Sequence, residues 1–222
     1  MTEAEWLAAT DPTPMLRFLR GRACDRKLRL FACARCRELW PMLTDERSRT
    51  AVEVGELFAD GLATSEALNA AYDLAMRAGG AAKQGREAIC RAALSVASEC
   101  EPDGESCWET VWDQCPDDAE RSALRMAESK EITFLRDLFG PLPFRQVAFD
   151  PTWLTSTVVA LARQMYEGRD FSPMPVLADA LQDAGCNDDE VLAHCRGDGP
   201  HVRGCWVTDL LLDKERGATH QP

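Results

Sequence analysis

Between Asp183 and Trp206 the sequence reads DAGCNDDEVLAHCRGDGPHVRGCW, 24 residues that hold three of the ten cysteines and two of the three histidines. Thiolate and imidazole are ligands that tetrahedral zinc takes readily, and a thiol beside an imidazole is also the raw material of a cysteine nucleophile. Cys186, His194, Cys195, His201 and Cys205 are therefore the metal-ligand candidates of the chain. Their spacing departs from finger and knuckle patterns, and the absence of HExxH places structural zinc ahead of catalytic zinc. His201 and Cys205 are four apart and share a helix face only if a helix begins before His201. His194 and Cys195 are consecutive, so a helix splays them by about 100° and does not pair them. A cysteine and a histidine at a helix junction usually serve as a small buried thiol and a hydrogen-bonded imidazole. The segment thus reads as mainly structural with no cofactor expected, and zinc is the alternative.

Other chemistry-bearing patterns have structural explanations. Cys33 and Cys36 form a CxxC pair, but a redox CxxC belongs at a helix start, where the dipole lowers the thiol pKa. Here Phe31 and Trp40 place the pair in mid-helix, which favours core packing. Asp117-Asp118 and Asp188-Asp189 fall at helix starts, where capping and the macrodipole account for them. Cys100, Cys107 and Cys115 flank an acidic stretch and read as exposed thiols. No GxSxG, phosphate-binding glycine loop or dinucleotide fingerprint occurs.

The elements that must position these residues are helices. Strand signals are nearly absent, whereas helix punctuation recurs along the chain. Asp11-Pro12 opens a helix that Gly21 stops; Asp25 caps the next, which Pro41 ends; Thr44 opens a third, closed at Asp60-Gly61. Further helices are expected over 65–78, 81–100, a short stretch carrying Trp108 and Trp112, 117–139, 155–166, 175–184, 187–196 and 203–212. Asn187 with Glu190 makes a start resembling a capping box. Trp206, Val207, Leu210 and Leu211 give the last helix an apolar face. The fold class is all-α, about nine or ten helices in an orthogonal or bundle-like array that could include helical-hairpin repeats. The organisation is an N-terminal helical region over 1–140, a Pro-rich connection over 141–154 and a C-terminal helical region over 155–222, expected to pack as one globular unit.

With 222 residues, 45% of them hydrophobic, the chain can bury a core without disulfides. Thirty-seven acidic against 25 basic side chains give a net charge of −12, which repels a phosphate backbone and makes nucleic acid an unfavoured partner. The exception is a basic strip of Arg17, Arg20, Arg22, Arg26, Lys27 and Arg29, read as the solvated face of helices. The N-terminus lacks a secretory signal pattern and no run of about 18 apolar residues exists, so no membrane span and a cytoplasmic location are expected. Cysteines there stay reduced.

The blocks TDPTPMLRFL, DRKLRLFACARCR, PVLADALQDAGC and HVRGCWVTDLLL resemble a multi-copy bacterial family to which no activity is assigned. The resemblance covers both ends of the chain and fails over roughly 64–129. It implies a fold neighbourhood and carries over no catalytic residue. The leading functional expectation is a non-enzymatic helical interaction or adaptor module with a protein partner. The alternative is a small zinc-binding or thiol-dependent protein centred on the C-terminal Cys/His cluster.

Overall fold

A computed structural model describes residues 1–81, 129–147 and 149–214. Among the described residues there are ten α-helices, one short 3-10 helix and no strand, so the protein is all-α. The helices expected over 81–100, around Trp108 and Trp112, and from 117 to 128 lie outside the described residues, as do Cys100, Cys107 and Cys115. No described helix is long and apolar enough to cross a membrane. The chain divides into two compact units, Glu3–Ile132 and Thr133–Pro222. The Pro-rich connection at 141–154 thus lies inside the second unit.

The first unit holds α1 (Glu3–Ala8), α2 (Pro12–Leu19), α3 (Asp25–Glu38), α4 (Glu46–Ala59) and α5 (Ser65–Ala81). The caps explain most boundaries. The Asp11 carboxylate accepts the Thr13 N–H with Pro12 at the first helical position, as the sequence suggested. Two caps sit one residue from their expected place. Asp25 is the first helical residue behind a Cys24 N-cap, where its charge meets the helix dipole, and Asp45 rather than Thr44 caps α4 through the Arg47 N–H. The helix α1, not anticipated from the sequence, buries Trp6.

The basic strip departs from its expected solvated face. Arg17, Arg20 and Arg22 are exposed, but Lys27 and Arg29 are buried, as is Arg35 further along α3. Neighbouring cations of α3 are paired. Arg26 binds Asp60, Arg37 makes a two-pronged contact with Glu56, and Arg35 pairs with Glu131. Long arginine stems also cover aromatic rings, with Arg29 over Phe58 and Arg35 over Phe31. The helix α3 is consequently buried around much of its circumference, Cys33 and Cys36 included, and the CxxC pair is core.

The second unit contains α6 (Glu131–Phe139) from Thr133 onward, a 3-10 helix at Pro151–Trp153, α7 (Ser156–Gly168), α8 (Met174–Asp183), α9 (Asp189–Arg196) and α10 (Trp206–Leu211). One apolar cluster fills it, including Val158, Met165, Leu177, Leu181, Val191 and Trp206. The helix α8 packs against both α7 and α9, and α10 against α7 and α9. The helix α9 is capped by Asp188, whose carboxylate accepts the Glu190 and Val191 N–H groups, so Asn187 is not the cap.

Candidate metal centre

Three segments of the second unit bring four donor side chains together: Asp137, His194, His201 and Cys205, whose ligand atoms all lie within 4.8 Å of one another. Asp137 comes from α6, whose buried stripe runs Phe134, Asp137, Leu138 at helical spacing. His194 stands in the last turn of α9, next to the buried Cys195. His201 and Cys205 follow on the connection to α10. That helix begins only at Trp206, with Cys205 as its N-cap, so His201 and Cys205 do not share a helix face. The connection folds back on itself instead, with the Cys205 N–H bonded to the Val202 carbonyl at 2.9 Å.

Asp137 is the hub. Its Oδ1 lies 2.6 Å from His201 Nδ1 and 3.2 Å from His194 Nε2, while Oδ2 accepts the Val202 N–H at 2.9 Å. Burial pushes the Asp137 carboxyl up, but the hydrogen bonds and charges of His194 and His201 outweigh burial and hold it below the usual carboxylate value. Cys205 Sγ is 3.1 Å from His194 Nε2. On its far side, His194 Nδ1 accepts the indole N–H of Trp206 at 3.1 Å. The two imidazoles meet edge to face, with centroids 4.8 Å apart. His201 Nε2 lies on the Gly199 side of its ring and is buried with no hydrogen-bond partner among the described residues.

Of the five residues singled out in the sequence, the structure gathers His194, His201 and Cys205 and leaves two elsewhere. Cys186 is the buried residue after a Schellman stop. Its N–H reaches the Leu181 carbonyl at 2.9 Å and that of Gly185 reaches Gln182 at 3.0 Å, a pattern that needs Gly185 at φ +91°. Cys195 lies in the apolar cluster with Leu177 and Leu181, its thiol pushed up to about 12 first by burial. The sequence does not single out Asp137, because 57 residues separate it from His194. The available signal was an acid on the apolar stripe of α6.

The donor set fits a transition-metal ion. Two imidazoles, one carboxylate and one thiol are ligand types that zinc accepts in a tetrahedral site. A zinc tetrahedron has ligand-to-ligand edges of roughly 3.3–3.7 Å, so the three closest contacts, 2.6 to 3.2 Å, would open modestly to admit an ion and the wider pairs, up to 4.8 Å, would draw in. Asp137 keeps one oxygen for Val202, which suits single-oxygen coordination. The same geometry disfavours nucleophilic chemistry. Cys205 is fully buried, and burial, then the Asp137 charge, push its thiol well above its ordinary value. Comparison with protein-family models, curated proteins and solved structures returns no match for the chain.

Proposed function

We propose that the protein is a non-enzymatic helical module whose C-terminal unit is held by one structural zinc-class ion, bound by Asp137, His194, His201 and Cys205. The convergence of four side chains of ligand type from α6, α9 and the following connection carries this reading. Four protein ligands complete a tetrahedron and leave no position for a substrate, which is the arrangement of a structural ion. Binding joins segments 57 residues apart in sequence, so its free energy adds to that of the fold. The partner of such a module is another protein, since the net charge of −12 opposes nucleic acid and Arg26, Arg37 and Arg35 of α3 are engaged by Asp60, Glu56 and Glu131. Thermal unfolding of the untagged chain tests the reading. Zinc at one hundred times its Kd should stabilise the second unit by about 2.7 kcal/mol. Identical melting curves with zinc and with chelator would defeat it.

A further inference from the structure

A metal-bound neutral histidine ordinarily donates its other ring N–H to a carboxylate, a carbonyl or water. At His194 the group facing Nδ1 is the Trp206 indole N–H, which can only donate. In the metal-free protein this contact is satisfactory: Nδ1 accepts, and the ring proton sits on Nε2, directed at Asp137 Oδ1 and Cys205 Sγ. An ion at Nε2 displaces that proton. Within the ring it can move only to Nδ1, where two hydrogens would then oppose each other across 3.1 Å.

The indole cannot turn aside at low cost. Trp206 is 1% exposed, and its ring lies against Gly140 so closely that a Cβ there would stand 2.6 to 2.7 Å from Cγ, Cδ1 and Nε1. Gly140, at φ +48°, immediately follows the helix that supplies Asp137. The same packing therefore fixes both a ligand and the group that opposes the ligand's metal-bound form.

We infer that Trp206 is a positioning residue that lowers the metal affinity of this centre, holding His194 in the tautomer that an ion must overturn. The inference rests on the four-ligand reading above and adds that the ion is exchangeable. The hydrogen-bond partners of a ligand commonly change metal affinity roughly 10- to 100-fold, usually by supporting the ligand; here the sign is reversed. Trp206→Phe keeps an aromatic ring and removes the opposing hydrogen.

The test is zinc affinity of the full, untagged chain and of Trp206→Phe, measured by competition with a chromophoric chelator. The variant should bind roughly tenfold tighter or better. A merely structural tryptophan gives the opposite sign, because a loosened core weakens binding, so equal or weaker binding by Trp206→Phe overturns the inference. Absence of zinc binding by both proteins overturns the four-ligand reading itself, a distinct result. Should the variant not fold by circular dichroism in chelator, 15N-indole spectra of the wild-type chain decide. One of the six tryptophan N–H resonances should shift on zinc addition as its acceptor is lost, and six unmoved resonances in a zinc-loaded sample overturn the inference.

Discussion

Asp137→Ala is the substitution from which the structure predicts most. The carboxylate is buried and accepts from Val202 N–H, His201 Nδ1 and His194 Nε2. Alanine leaves two of those donors, on Val202 and His201, without their carboxylate acceptor, while His194 keeps the weak Cys205 sulfur. An unmet buried donor costs about 1–3 kcal/mol, and removing one partner of a buried charged cluster costs about 3–5 kcal/mol. A loss of about 3–5 kcal/mol is therefore expected in chelator, where no ion contributes. Urea unfolding reads it as a fall of the midpoint by roughly 1.5–2.5 M for a slope near 2 kcal/mol/M. Asp179→Ala is the control: its carboxylate on α8 is 73% exposed and pairs with Arg196, so its loss should cost under about 1 kcal/mol. Zinc should then stabilise the wild type but not Asp137→Ala. A loss below about 1 kcal/mol for Asp137→Ala in chelator would refute the hub assignment.

Three further outcomes follow from the same packing. Gly140→Ala combines a left-handed backbone with a clash against the Trp206 indole and should cost about 2–4 kcal/mol by urea unfolding. Gly185→Ala meets nothing within 4 Å and should cost only about 1–2 kcal/mol, so equal losses would speak against the close approach. Thiol labelling followed by peptide mapping should modify the half-exposed Cys24 in the native protein while sparing the buried Cys33, Cys36, Cys195 and Cys205 until urea unfolds the chain. For acid sensitivity, the Asp137 carboxyl is held below its unfolded value, so its contribution is complete above the usual carboxylate range of about 4 and disappears as pH falls through the folded value. In chelator, Asp137→Asn should flatten the acid limb of the stability curve; an unchanged limb would assign acid sensitivity to other groups.

The helical class was legible because its signals are local. Asp11 before Pro12, Thr155 before α7 and the paired acids before α9 each mark a start within one turn; the structure keeps the Asp11 cap, moves that of α9 by one residue and starts α10 three residues later than expected. Burial of the α3 cations was not legible, since Asp60, Glu56 and Glu131 lie far along the chain and pairing decides the environment of an arginine. The candidate centre was half legible. Composition marked His194, His201 and Cys205, but their grouping depends on a folded-back connection, not on the helical spacing first considered. Cys186 and Cys195 carry the same chemistry and sit nearby in sequence, yet a Schellman stop and the inner face of α9 direct them into the apolar core. Asp137 required the tertiary fold.

Equilibrium dialysis of the untagged chain against zinc, followed by elemental analysis of protein and buffer, tests the four-ligand centre most directly. One equivalent of zinc per chain should be retained above the buffer level. It should fall away in Asp137→Ala, His194→Ala, His201→Ala and Cys205→Ser, each checked for folding by circular dichroism, and persist in Cys186→Ser and Cys195→Ser. No excess zinc in the wild-type chain, or one full equivalent in folded Cys205→Ser, would contradict the assignment.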